Sequence, residues 1–172
     1  MNILVINCGS SSIKYKFYAM PSERLLSKGS INTIGEKGGA VKSHRQGLRI
    51  LLQKINNIEA LGHRVVHGAE EFKEPALIDR KVLRRIMSCG NLAPLHNPAN
   101  LEGILACRDM LKGIRQVAVF DTAFHQTLPQ KACIYGLPYS FYQKDKIRKY
   151  GFHGSSHEYV AAEAAKRLTK DI

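Results

Sequence analysis

Apolar and polar positions change their period several times along the chain, and each change marks an element. Met1–Ile6 is an apolar run that reads as a buried strand, and Ile13–Tyr18 alternates, with Ile13, Tyr15 and Phe17 on one face. Together they predict a hairpin, with Leu25–Ile31 as a third strand. From Val41 to Ile55 the apolar positions Val41, Leu48, Leu51, Leu52 and Ile55 fall at helical spacing. Leu61–Val66 predicts a short strand. Arg80–Met87 predicts a basic amphipathic helix with Val82, Leu83, Ile86 and Met87 inward. After a loop at Leu92–Asn100, Asn97 and Pro98 read as an N-cap and first helical residue, leading into Leu101, Ile104, Leu105 and Leu111. Gln116–Asp121 is a strand ending in an acid. Ser155 with Glu158 forms a capping-box pattern before a helix through Val160, Ala164 and Leu168. Strands first, then helices alternating with strands, predict an α/β fold.

Composition narrows this only a little. A chain of 172 residues, 44% apolar and 23% charged, is an ordinary one-domain globular sequence rather than a disordered one. No run approaches the length of a membrane span, and no basic leader with a small-residue cleavage site opens the chain, so neither membrane partner nor signal peptide is expected. Cys8, Cys89, Cys107 and Cys133 are widely spaced without a C-x-x-C pair, which predicts reduced, mostly buried thiols. The formal charge of +12 raises nucleic-acid binding, but the two basic clusters, Arg80–Arg85 and Lys144–Lys149, carry no nucleic-acid motif. Solvated faces, attraction for anionic phosphates, or an acidic partner segment absent from the chain account for them better.

The chemistry concentrates in loops. Asn7-Cys8-Gly9-Ser10-Ser11-Ser12 places a glycine and three hydroxyls where a plain hairpin needs two turn residues. Backbone N–H groups there, with Lys14 just beyond, form an anion cradle, or else the turn simply caps itself. It is not a P-loop, because Ile13 stands where the second glycine belongs. His63 and His67 lie four apart, but Arg64 replaces the glutamate of a zinc protease helix and opposes a cation. Arg64 reads as an anion clamp or as half of a structural ion pair. His96, His125, His153 and His157 sit in or beside loops and raise the prospect of a polar site. Asp121 ends a buried strand, where ligands of open α/β sheets gather, and suits magnesium or substrate orientation, with a helix cap as the plain alternative.

Four segments in order, LVINCGSSSIKY, GHRVVHG, LAPLHNPANLEGI with VFDTAFHQTLP, and YGFHGSSHEYV, resemble the acetate kinase family, in the acetokinase branch of the sugar kinase, Hsp70 and actin superfamily. The resemblance implies an RNase H-like βββαβαβα lobe, a mixed central sheet flanked by helices. It implies reversible transfer of the ATP γ-phosphoryl group to acetate, giving acetyl phosphate and ADP, with Mg2+ or Mn2+, in a cytoplasmic homodimer that has no nucleic-acid or membrane partner. Propionate kinase, which shares these motifs, is the alternative; a non-catalytic carboxylate- or phosphate-binding fragment is another. By resemblance, Asn7 helps place the metal, and Ser10, Ser12 and Lys14 lie near the ATP phosphates. Arg64 binds the acetate carboxylate, His96 lines the site, and Val66, Leu95 and Phe152 hold the methyl group. Asp121 and His153 are the catalytic pair, His153 stabilising the transferring group. A carboxylic acid with a pKa of about 4 is already ionised at neutral pH. Asp121 is therefore expected to hold the magnesium–ATP water shell and position its neighbours rather than remove a proton.

The sequence departs from that family in three places. Ala69 stands where a second glycine is usual, and the stretch between the hairpin and Gly62 is short. The second, nucleotide-binding lobe, with its phosphate loop and second arginine, is not in the chain, so residues 1–172 are expected to form an N-terminal lobe with little activity alone.

Overall fold

The computed structural model describes residues 1–171. Strand β1 (Asn2–Cys8) turns back into β2 (Ile13–Ala19), and β2 into β3 (Arg24–Ile31), both pairs antiparallel. Helix α1 (His44–Leu52) crosses to β4 (Ala60–Val65), which runs parallel to β1. A two-residue strand, β5 (Ala76–Leu77), precedes α2 (Arg80–Ser88) and α3 (Asn97–Met110), and α3 leads to β6 (Arg115–Phe120), parallel to β4. The sheet order is β3-β2-β1-β4-β6-β5, with β5 antiparallel on the edge. The remainder holds α4 (Gln130–Cys133), α5 (Tyr139–Asp145) and α6 (Gly154–Leu168). Apart from β5, the short helices α4 and α5, and α2, which the spacing predicts at Arg80–Met87, this is the βββαβαβα order the family resemblance implies.

Strand alternation decides where the core sits. Leu4, Ile6 and Cys8 of β1 and Ile13 and Phe17 of β2 face one side and pack with Leu48 and Leu51 of α1 and Ala106 and Cys107 of α3. Gly47 lets α1 close on the sheet, since a Cβ there would stand 2.8 Å from Ile13 Cδ1. A second cluster joins Val65, Ala118 and Phe120 to Leu83 and Ile86 of α2 and Ile104 of α3, with Phe72 stacked on Phe120 at 4.0 Å. The four cysteines are free and buried. On the opposite sheet face Val5 stays 39% exposed, beside Lys14 and Lys16.

Several local expectations need correction. The first helix is shorter than Val41–Ile55, because the Ser43 side chain accepts from Gln46 N–H and starts it at His44; Val41 and Ile55 are buried outside it. Asn97 is not an N-cap. His96 takes that place without a side-chain bond, while the Asn97 amide is spent on His67. Ser155 does not cap the last helix, which begins at Gly154 after His153 in the left-handed region. Met87 points outward, 62% exposed. The second basic cluster is not wholly a solvated face, since the Arg148 side chain is buried against Glu70, while Lys146 pairs with the same carboxylate from the surface.

Candidate active site

The site forms where three parallel strands end. Strands β1 and β4 are in register up to Ile6 opposite His63, and β4 and β6 up to Val65 opposite Phe120. One step further, alternation brings Asn7, Arg64 and Asp121 out on one face, at the carboxyl end where sheets of this class bind ligands. Together with Cys8, Gly9, Val66, His96, Phe152 and His153 they line a cavity of about 410 Å³.

At its floor Asp121, 1% exposed, is bound to Arg64. Arg64 Nε donates to Oδ1 and Oδ2 at 3.0 and 3.1 Å, and Nη2 donates to Oδ2 at 2.5 Å. These hydrogen bonds from guanidinium to Asp121, more than its charge, hold the Arg64 pKa above its ordinary value and outweigh its partial burial. Arg64 Nη2 also donates to His153 Nδ1 at 3.3 Å. The arginine is thus pinned by a buried carboxylate on one side and an exposed imidazole on the other. Nη1 makes none of these bonds.

Two asparagines one helical turn apart on α3 hold the frame. Asn97 accepts from His67 N–H at 3.0 Å and donates to His67 C=O at 2.9 Å. Asn100 accepts from Val66 N–H at 2.9 Å and donates to Cys8 C=O at 2.6 Å. Both are buried, and between them they tie the ends of β1 and β4 to one helix. Reading Asn97 as a cap missed this, although the i, i+3 spacing of two amides beside Pro98 was a visible signal. Gly68 N–H likewise donates to buried Thr122 Oγ1 at 3.0 Å.

His153 is delivered by a latched loop. Gly154 N–H donates to Asp121 C=O at 2.7 Å, and His125 Nε2 donates to Phe152 C=O at 3.0 Å. A Cβ at Gly154 would come within 2.4 Å of the Asp121 carbonyl oxygen, so only glycine allows this approach. His67 stacks edge-on against Tyr150 and Phe152 at 4.6 and 5.8 Å, and its Nδ1 accepts from Ala69 N–H. Burial lowers the His67 pKa and, more strongly, that of His63, to about 4. Both are neutral packing residues. His63 Nε2 donates to Gln116 Oε1 at 2.8 Å inside the core.

Asn7, Arg64, Val66, His96, Asp121, Phe152 and His153 therefore meet in one cavity. Leu95 does not join them: it is 75% exposed and borders a separate hollow with Ser10 and Glu102. Lys14 lies on the open sheet face with Asn7, Lys16 and Lys28, around a hollow of about 600 Å³. Ser12 stays in the turn between β1 and β2, where its carbonyl accepts from Gly9 N–H at 2.7 Å.

The comparisons with known proteins bear on the family and the fold. The sequence model of the Acetokinase family matches residues 2–172. The chain belongs to the acetokinase family. It is 44% identical to acetate kinase 2 of Clostridium perfringens and 47% identical to the acetate kinase of Acetivibrio thermocellus, in each case across the whole chain and 50% of the relative. The fold superimposes on the acetate kinase of Porphyromonas gingivalis with a TM-score of 0.91 at 40% identity, covering 99% of this chain and 49% of the other. A propionate kinase of Francisella tularensis gives 0.93 at 39% identity, covering 99% and 50%. This acetokinase chain thus spans about half the length of the relatives it matches. The match to the Clostridium protein runs over 199 positions against 172 residues here, so this chain lacks segments that relative carries within the matched half.

Proposed function

We propose that this chain is one lobe, the N-terminal one, of a kinase that phosphorylates acetate from ATP. The convergence of Asn7, Arg64, Asp121 and His153 at the ends of β1, β4 and β6 carries the reading. The acceptor carboxylate is already ionised, and its oxygen attacks the γ-phosphorus. A carboxylate O–P bond forms as the bond from phosphorus to the β,γ-bridging oxygen breaks, and ADP leaves with that electron pair. The difficulty is bringing two anions together, so catalysis is placement and charge screening. Arg64, held by Asp121, presents guanidinium N–H groups to the acetate carboxylate. His153 and His96 flank the transferring group as donors, and Val66 and Phe152 enclose the methyl group. With Leu95 turned away, the methyl pocket rests on these last two.

The oxygen donors of Asn7 and Asp121 share the cavity and fit a hard divalent cation such as Mg2+ or Mn2+ held through water, because Arg64 already occupies both Asp121 oxygens. Such a cation would supply charge neutralisation on the ATP phosphates. Asp121 itself orients Arg64 and has no proton to remove from the nucleophile. Ser10, Ser12 and Lys14, which lie outside the cavity that holds Arg64 and Asp121, are assigned to the ATP side on the family resemblance. The chain presents one wall of the cleft; the nucleotide lobe, the homodimer and the cytoplasmic setting belong to the whole enzyme, and the chain alone turns over little. The likeness to a propionate kinase keeps propionate as the second acceptor.

Titrating the chain with acetate, with the ring signals of His96 and His153 followed by NMR, should give saturable shifts that Arg64→Ala abolishes. Equal shifts in both proteins would overturn the clamp. Propionate binding at least as tightly as acetate would favour the second acceptor.

A further inference from the structure

We infer that His44 is a positioning residue for phosphate binding, and that it acts by holding the Gly9 carbonyl away from the ligand face of the Gly9–Ser12 turn. The inference rests on reading that turn as the phosphate side of the site. His44 is the first residue of α1, is 5% exposed and is far in sequence from the turn, yet its Nε2 lies 2.6 Å from Gly9 O. A carbonyl oxygen only accepts, so Nε2 carries the proton and donates. The other ring nitrogen, Nδ1, stands 3.4 Å from Glu102 Oε2 on α3. The ring is thus fixed from both edges, by a carboxylate of one helix and a backbone carbonyl of the turn, while Ser43 caps α1 and sets where the ring begins.

The rest of the turn explains why this matters. Asn100 Nδ2 binds Cys8 O at 2.6 Å, Ile34 N–H binds Ser11 O at 2.9 Å, and Gly9 N–H binds Ser12 O at 2.7 Å. Among the described residues, every carbonyl from Cys8 to Ser12 except that of Ser10 is bonded back into the protein. The N–H groups of Ser10, Ser11 and Ser12 have no protein partner there. A turn that shows donors and withholds acceptors is what an anion requires, because a carbonyl oxygen facing a phosphate repels it. His44 is the only side chain with an ionisable ring in that set of tethers. Without it the Gly9 peptide is free to rotate and aim its oxygen at the ligand.

The test uses the 172-residue chain, 15N-labelled, with pyrophosphate and Mg2+ as the probe. In the wild type the amides of Ser10, Ser11 and Ser12 should shift saturably. In His44→Ala the pyrophosphate affinity should fall by about tenfold. The Ser10 nitrogen, which shares a peptide bond with the Gly9 carbonyl, should move even without ligand. His44→Gln, which keeps a donor at the Nε2 position, should restore both; Glu102→Gln should lose part of the affinity. Acetate shifts at His153 should survive in all variants. Saturable shifts of equal affinity in wild type and His44→Ala would overturn this inference alone. No saturable shift in the wild type would overturn the phosphate reading of the turn and this inference with it. Equal loss of pyrophosphate and acetate binding in His44→Ala and His44→Gln would show a merely structural histidine, and would also overturn it.

Discussion

The first 121 residues and the fifty that follow are built differently. Both apolar clusters of buried residues lie between Leu4 and Phe120. Beyond Asp121 the buried positions are few, Thr122, Cys133, Tyr150 and Gly154, while Leu137, Tyr139, Phe141, Phe152, Tyr159, Val160 and Leu168 are exposed. The sheet region is held by hydrophobic burial, which is spread over many side chains. The later region is held by a few polar latches: Glu70 to Arg148 and Tyr142, Asp121 to Gly154, and His125 to Phe152. The site takes Asn7, Arg64 and Asp121 from the first kind of structure and Phe152 and His153 from the second. Its arginine–aspartate pair is thus set in the packed sheet region, and His153 in the latched one.

The largest test of this contrast is acidity. Burial holds the folded-state pKa of His63 at about 4, below the ordinary histidine value. Between about pH 6.5 and 4 the unfolded chain therefore binds a proton that the folded chain refuses. Stability rises with pH through that window and is lost as pH falls through it, by an amount on the order of 3 kcal/mol. Urea unfolding at successive pH values should show this loss for the sheet region, and His63→Gln should flatten it. An equal slope in the variant would place the acid sensitivity elsewhere.

Smaller and more local is the effect of Glu70→Gln. Burial alone would raise the Glu70 pKa, but hydrogen bonds from Arg148 and Tyr142 outweigh it and hold it low. Its stabilisation is present above the ordinary carboxylate range and fades as pH falls through the lowered value, a window below that of His63. The substitution leaves the Arg148 side chain, 7% exposed, without its counter-charge and should cost about 2 kcal/mol. Hydrogen exchange should quicken from Tyr139 to Gly154 while β1, β4 and β6 keep their protection. Uniform quickening would mean that the two regions unfold as one.

The sequence disclosed the sheet region far better than the latched one. Alternation and helical spacing located β1, β2, β4, β6, α2 and α3 because each buries one face, and burial writes a period into the residues. The chemistry at strand ends was legible for the same reason: Asp121 closes an apolar run. Asn97, Asn100 and His44 were missed as tethers because their partners are backbone groups, which leave no mark on sequence. Met87 was misplaced because periodicity does not say which edge of an apolar stripe the neighbouring helix covers. The placement of Leu95, Ser10 and Lys14 depends on which side of a turn faces the cavity, and composition is silent on that.

The smallest prediction lies where the two regions join. Ala69 precedes the Glu70 latch and holds a φ of 51°, the left-handed region in which a Cβ crowds the following carbonyl. Its N–H donates to His67 Nδ1 and its carbonyl accepts from Gln126 Nε2, so the turn is fixed in that conformation from both sides. Glycine enters the region without the steric cost but brings a more disordered unfolded chain. The first effect is about 1–2 kcal/mol and the second up to about 1. Ala69→Gly should therefore raise stability by roughly 0.5 kcal/mol, seen as a higher urea midpoint at unchanged slope. A lower midpoint would mean that the bonds to His67 and Gln126 do not hold the turn in glycine's absence of a side chain. The joint between the packed sheet region and the latched one would then depend on the alanine, and the strain would be part of what keeps Glu70 in place.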